Sequence, residues 1–75
     1  MRTQVEVEGW IRRLFLEIGH DPADLIQIKY KDGTDWENAL TYEVTRKDGK
    51  KTKVFRRDLD DGKEDGVKNA LRAFK

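Results

Sequence analysis

The chain has 75 residues, of which 41% are charged and 36% hydrophobic, and its formal net charge is +1. A chain of this length can build one small hydrophobic core, so we expect residues 1–75 to form a single domain. The lack of cysteine and serine excludes disulfides, thiolate metal sites and the two commonest nucleophiles of acyl-transfer enzymes.

The apolar residues are grouped at regular spacings, which is typical of a folded domain. No apolar run approaches the length of a membrane span, and residues 1–9 contain no apolar stretch of the kind found in secretion signals. We therefore expect a cytoplasmic protein without a membrane partner.

The first predicted element is an amphipathic helix. Apolar residues recur at helical spacing over residues 7–18, and most charged residues take the other side. Thr3 and Glu6 have the spacing of a capping box before this helix, and Gly19 marks its end. Alternation of apolar and polar residues leaves a short strand over residues 4–8 as an alternative.

Three strands are predicted next. Apolar and polar residues alternate over residues 25–30, which places Ile26, Ile28 and Tyr30 on one face of the predicted strand. A polar loop over residues 31–38 contains Trp36. The runs 39–47 and 50–57 then flank a predicted hairpin turn.

The hairpin is indicated by Asp48-Gly49, because both central positions of a type I′ turn need a positive φ and this pair favours it. A two-residue turn at this place pairs Tyr42 with Phe55. The inner face of the sheet is then expected to carry Leu40, Tyr42, Val44 and Phe55.

A second helix is predicted after the acidic residues 58–65. Its apolar stripe covers residues 67–74, and Asp61 and Glu64 have capping-box spacing. The acids do not fit the ligand spacing of a calcium loop and are interpreted as complementing the helix dipole. The whole pattern predicts an α+β fold, a three-stranded antiparallel sheet with two helices packed on one face (α-β-β-β-α).

Catalytic and cofactor motifs are weak in this sequence. His20 beside Asp21 could be an oriented general base, but we interpret it as a polar residue at a helix end. No glycine-rich run has the spacing of a phosphate loop or a dinucleotide site. We expect no enzyme, no metal and no small-molecule cofactor.

The charge pattern indicates a binding surface. Residues 46–57 contain seven basic residues against Asp48 alone, and the predicted open sheet face adds Lys29 and Lys31. Such a patch could contact phosphates, or it could keep an edge strand from pairing with other chains. Trp36 could anchor a partner or fold back over the core. The candidate partner-binding residues are Lys29, Lys31, Trp36, Arg46, Lys47, Lys50, Lys51, Lys53 and Arg56.

We therefore expect a non-enzymatic binding module that engages a protein or nucleic-acid partner through its basic β-hairpin. No aromatic residue is predicted on the open sheet face, which disfavours stacking on single-stranded bases. The alternative is a stable small scaffold, natural or engineered, whose protein-binding surface is not readable from sequence. The absence of serine and the regular capping and turn signals keep that alternative open.

The order of helix, three strands and helix resembles the double-stranded RNA-binding domain in topology, over nearly the whole chain. The resemblance implies the same fold, and RNA contacts from the first helix, from the loop between the first two strands and from lysines that open the last helix. The last of these places holds residues 62–66, where Lys63 lies among acids. The RNA-binding lysine motif of the family is not matched, so the resemblance bears on the fold.

Overall fold

A computed structural model describes residues 3–74 as one antiparallel sheet, with a helix before the strands and helices after them. The elements are α1 (Gln4–Glu17), a 3₁₀ turn (Pro22–Asp24), β1 (Leu25–Lys31), β2 (Thr41–Arg46), β3 (Lys51–Phe55), α2 (Arg56–Asp60) and α3 (Glu64–Leu71). The sheet has the order β1-β2-β3, so β2 is its central strand. The predicted α+β class is confirmed, and the short helix α2 adds to the expected order.

Helix α1 begins as its sequence predicts. The Thr3 side chain accepts a hydrogen bond from the Glu6 N–H at 3.3 Å, which satisfies one of the free donors of the first turn. At the other end, Gly19 N–H donates to the Leu16 carbonyl at 2.9 Å. The predicted helix is confirmed, and the alternative strand over residues 4–8 does not form.

The core lies between one face of the sheet and the helices α1 and α3. Tyr42 is fully buried at its centre, and its hydroxyl donates to the Trp36 carbonyl at 2.7 Å. The Trp36 ring stacks on the Tyr42 ring, with centroids 5.7 Å apart. The other large, fully buried side chains are Val7, Ile11, Leu14, Phe15, Val44, Val54, Val67 and Leu71.

Strand β1 contains an irregularity near its start. Its pairing with β2 shifts between Leu25 and Gln27, so one extra residue stands on the β1 side. Leu25 and Ile28 are buried, whereas Ile26 is 61% exposed. The prediction that Ile26 and Ile28 share a face is therefore wrong, because the extra residue breaks the alternation.

The predicted hairpin is confirmed, but its turn has three residues, 47–49, instead of two. Arg46 N–H donates to the Lys50 carbonyl at 2.8 Å, and Gly49 N–H donates to the Arg46 carbonyl at 2.9 Å. Gly49 has φ +89°, whereas Asp32 is the one non-glycine residue with positive φ in the described part of the chain. Asp48 therefore has a negative φ, and the loop is of the type in which a type I turn is followed by a left-handed glycine bulge.

The longer turn moves the register of β3 by one residue. Tyr42 faces Val54 and Thr41 faces Phe55. A shift of one residue exchanges the two faces of a strand, so Val54 is buried and Phe55 is 46% exposed. The predicted inward positions of Phe55 and of Leu40, which is also exposed, are wrong.

Helix α3 begins without the predicted capping box. Its N-cap residue is Lys63, which makes no side-chain capping hydrogen bond, and Asp61 instead ends α2. The apolar stripe is as predicted, since Val67 and Leu71 are fully buried. Among residues 3–74, no helix is long and apolar enough to cross a membrane.

Candidate binding face

The face of the sheet opposite the helices carries a three-by-three array of side chains. In each row one residue of β1, one of β2 and one of β3 stand side by side. Because side chains alternate along a strand, these residues point away from the core that their neighbours Ile28, Val44 and Val54 enter. We call this array the lysine face; its rows are Gln27, Thr45, Lys51; then Lys29, Glu43, Lys53; then Lys31, Thr41, Phe55.

Glu43 lies at the centre of the lysine face. Its Oε1 is 3.6 Å from Lys29 Nζ and 3.9 Å from Lys51 Nζ, and its Oε2 is 3.9 Å from Lys31 Nζ. The Glu43 side chain is 14% exposed, whereas all three lysines are about half exposed. One carboxylate thus gathers three ammonium groups, each of which carries three donors and remains open to an anion from solvent.

One corner of the lysine face carries an exposed aromatic ring. The Arg57 guanidinium lies over the Phe55 ring, with Cζ 5.3 Å from the ring centroid, a cation–π distance. A cavity of about 350 Å³ opens beside this pair. We call it the corner pocket; it is lined by Asp32, Leu40, Thr41, Phe55, Arg56 and Arg57.

Four predicted partner-binding residues, Lys29, Lys31, Lys51 and Lys53, lie together on the lysine face. Lys50 is exposed at the hairpin turn, where its N–H donates to Asp48 Oδ1 at 3.1 Å. The four lysines lie on β1 and β3, on either side of the Glu43 carboxylate of β2, and Lys50 precedes β3 at the turn.

The remaining predicted residues lie elsewhere. Arg46 is on the helix side, with Cζ 5.1 Å from the Phe74 ring centroid, and Lys47 Nζ is 3.1 Å from Asp24 Oδ1. Arg56 donates to the Glu37 carbonyl at 3.0 Å and borders the corner pocket. Trp36 packs over the end of the core. The structure therefore does not bring all of the predicted residues into one site.

Arg46 and Asp48 are coupled within the turn. The hydrogen bond from the Arg46 guanidinium, assisted by that from Lys50 N–H, lowers the pKa of Asp48 to about 2. The same side-chain hydrogen bond raises the pKa of Arg46. The Arg46 side chain therefore lies on the core side of the sheet, between Asp48 and Phe74, and is not part of the lysine face.

The sequence-based prediction did not include Glu43 at the centre of the lysine face, nor Asp32, Leu40, Thr41 and Phe55 in the corner pocket. Arg57 was counted among the basic residues 46–57 but was not predicted to bind a partner. Asp-Gly also occurs in three-residue turns, and considering that turn would have placed Phe55 on the open face. The expectation of a face without aromatic residues is wrong for this reason. Asp32 gives no sequence signal, because it reaches the site through the path of the 32–40 loop.

His20 and Asp21, the pair considered for general-base catalysis, both make structural contacts. The His20 ring stacks on Phe15, with centroids 4.7 Å apart, and Asp21 Oδ1 accepts a hydrogen bond from Ala23 N–H at 2.9 Å. Over residues 3–74, no group of three His, Cys, Asp or Glu side chains is placed to hold a metal ion. The lysine face and its exposed aromatic corner are taken as the candidate site.

Comparisons with models of protein families, with curated proteins and with solved structures give no match.

Proposed function

We propose that this protein is a non-enzymatic binding module that engages nucleic acid through the lysine face and the adjoining tip of its basic hairpin. The observation that carries the proposal is the presence of four lysines and one exposed phenylalanine on a single open sheet face, around one carboxylate. Lysine side chains supply the sequence-independent attraction to phosphates, and an aromatic ring supplies a platform for bases.

The exposed ring favours nucleic acid over an acidic protein as the partner. An acidic surface would be matched by the lysines alone, whereas the Phe55–Arg57 pair adds a flat apolar and cationic contact that suits a base. The alternative remains a scaffold in which the lysines keep the sheet from associating with other chains. That alternative predicts no nucleic-acid binding at any salt concentration.

A salt titration tests the proposal. The affinity of the protein for a fluorescein-labelled oligonucleotide is measured at increasing salt concentrations. The double variant Lys51→Gln/Lys53→Gln removes two charges from the lysine face, so its affinity falls and its log–log salt slope decreases by roughly 0.7 for each lost phosphate contact. The control Lys63→Gln/Arg72→Gln removes the same charge from the two ends of α3, away from the sheet's open face and the hairpin tip, and keeps the slope of the parent protein.

Two results contradict the proposal. One is the absence of binding at low salt, and the other is an equal loss of affinity in the two double variants. Circular dichroism of both variants checks that the helices and the sheet are retained, so that a loss of affinity is assigned to the surface.

A further inference from the structure

We infer that the corner pocket receives one unpaired guanine base of a single-stranded nucleic acid whose phosphates follow the lysine face. This inference rests on the proposed function and specifies its ligand. The corner pocket adjoins the third row of the lysine face, because Thr41 and Phe55 belong to both. A strand bound by the lysines therefore passes the pocket opening.

The walls of the corner pocket suit a flat ring. Phe55 and Leu40 expose apolar surface on the pocket, and Arg57 adds a planar cation against the Phe55 ring. Aromatic rings and guanidinium groups are the side chains on which unpaired bases stack. The cavity volume of about 350 Å³ lies within the range of small-ligand sites.

Among the polar groups of the corner pocket, the Asp32 carboxylate is the one that only accepts hydrogen bonds, whereas Arg56 and Arg57 only donate them. Thr41 Oγ1 donates to Asp32 Oδ2 at 3.2 Å, which orients the carboxylate beside the pocket. Asp32 has φ +58°, a left-handed conformation that Asp and Asn tolerate better than most residues. The next residue, Gly33, lies so close to the Ala39 backbone that a Cβ there would be 2.5 Å from Ala39 Cα. The loop therefore holds Asp32 in a defined position.

A carboxylate at this position selects among the bases. A carboxylate accepts hydrogen bonds and donates none, and its two oxygens suit two adjacent donors. Guanine presents two adjacent donors, N1–H and the N2 amino group, on its Watson–Crick edge. Adenine and cytosine offer there one amino group beside an acceptor, and thymine offers one N–H between two acceptors. Guanine is thus the base whose donors match Asp32.

The same geometry favours a single strand over a duplex. In a duplex the Watson–Crick edge of guanine is paired with cytosine, and both faces of the base are stacked on neighbouring bases. The corner pocket needs that edge for Asp32 and one face for Phe55. Single-stranded segments present both, which is how sequence-specific contacts to unpaired bases are generally made.

The test compares three oligonucleotides of about eight nucleotides, a typical site size for a small single-strand binder. They are oligothymidylate, the same strand with one central guanine, and that strand in a duplex. Affinity is measured by fluorescence anisotropy. We expect the guanine-containing strand to bind roughly tenfold more tightly than oligothymidylate, as for one bidentate base contact, and more tightly than the duplex.

Variants assign that preference to the corner pocket. Asp32→Asn keeps the left-handed backbone but replaces one acceptor by a donor, so the ratio of the two affinities, which measures the guanine preference, falls to about one. Oligothymidylate affinity does not decrease, because the variant removes a negative charge beside the lysine face. Phe55→Leu weakens binding of both single strands roughly tenfold, whereas Phe55→Tyr keeps the ring and the affinity. The controls Asp65→Asn and Leu16→Ala make similar changes on exposed residues of the helices and leave both affinities unchanged.

The outcomes separate the inference from the proposed function. Three results contradict guanine binding in the corner pocket. They are equal affinity for strands with and without guanine, an undiminished guanine preference in Asp32→Asn, and a duplex that is bound as tightly as the single strand. Each of these results leaves the effect of Lys51→Gln/Lys53→Gln in place. Failure to bind any of the three oligonucleotides overturns the proposed function and the pocket together.

Discussion

Basic side chains that are neighbours in sequence have different structural roles around the hairpin. Arg46 lies over Phe74 and is hydrogen-bonded to Asp48, and Lys47 pairs with Asp24, so both contribute to the fold. Lys51 and Lys53, a few residues later, stand on the open face. Adjacent residues in this segment therefore cannot be assigned to one surface from charge alone.

The Asp48 carboxyl should titrate well below its ordinary range. Its pKa in the folded protein is about 2, against an ordinary value of 3.8, because Arg46 and the Lys50 N–H hydrogen-bond to the ionised form. A lowered folded pKa means that the unfolded chain binds the proton more readily. The contribution of Asp48 to stability is therefore complete above about pH 3.8 and is lost as the pH falls through about 2.

Carboxyl carbon shifts followed by NMR between neutral pH and about pH 1.5 measure this pKa directly. Replacing Arg46 by Gln removes the largest cause of the shift, so the Asp48 pKa rises toward its ordinary value. A parent Asp48 that titrates near 3.8, or a pKa that is insensitive to Arg46→Gln, contradicts the assigned hydrogen bond.

At the scale of elements, Gly49 determines the conformation of the hairpin turn. Its φ of +89° is a conformation that residues with a Cβ rarely adopt. We expect Gly49→Ala to lower the free energy of unfolding by about 1–2 kcal/mol, because the added Cβ opposes the left-handed bulge. Urea denaturation monitored by circular dichroism measures the change.

Gly9 provides the matched control for Gly49. It lies inside α1, and a Cβ built there meets no atom within 4 Å. Gly9→Ala should therefore raise the free energy of unfolding by about 0.5–1 kcal/mol through helix propensity. If both alanine variants shift stability in the same direction, the left-handed turn is not the reason for the effect at Gly49.

The contrast between α1 and β3 indicates how far local sequence signals reach. The start of α1 was predictable, because Thr3 and Glu6 lie three residues apart and the hydrogen bond between them is local. The register of β3 could not be predicted in the same way, because Asp48-Gly49 is compatible with two turn lengths that differ by one residue. That single residue decides whether Phe55 is core or binding surface.

The loop over residues 32–40 and the bulge in β1 show a second limit of prediction from local sequence. The predicted burial of Tyr42 is confirmed, because apolar and polar residues alternate regularly in the sequence of β2. Ile26 was misplaced by a bulge, and Asp32 reaches the corner pocket through contacts of the loop with Ala39 and Thr41. Such features depend on how distant segments meet, so the cationic half of the site was predictable and the aromatic and acidic corner was not.

At the scale of the whole molecule, charge is separated by faces of the sheet. The net charge of +1 is small, yet the lysine face carries four lysines and one acid. Because the chain has 16 basic and 15 acidic residues, the residues outside the lysine face carry 12 basic and 14 acidic side chains and are nearly balanced. A nearly neutral protein can therefore present a strongly cationic face, whose attraction for an anion decreases with salt.

Glu43 is expected to stabilise the fold and, at the same time, to weaken the attraction of the lysine face for an anion. Its carboxylate is the only acid of the array, and it lies 3.6–3.9 Å from the ammonium groups of Lys29, Lys31 and Lys51. Replacing it by Gln leaves the lysines to repel one another and raises the positive potential of the face. We expect Glu43→Gln to bind oligonucleotides severalfold more tightly at low salt and to lose about 1 kcal/mol of unfolding free energy.

Anisotropy titrations and urea denaturation at low and high salt measure the two effects of Glu43→Gln. Added salt screens the repulsion among the lysines, so the stability loss and the affinity gain should both shrink. Glu8→Gln, which removes one acid from α1, is the control and should leave the affinity nearly unchanged. A Glu43→Gln protein that is destabilised and binds no more tightly would show that the lysines act on solubility alone, since a cationic face that binds phosphates must respond to the loss of its central carboxylate.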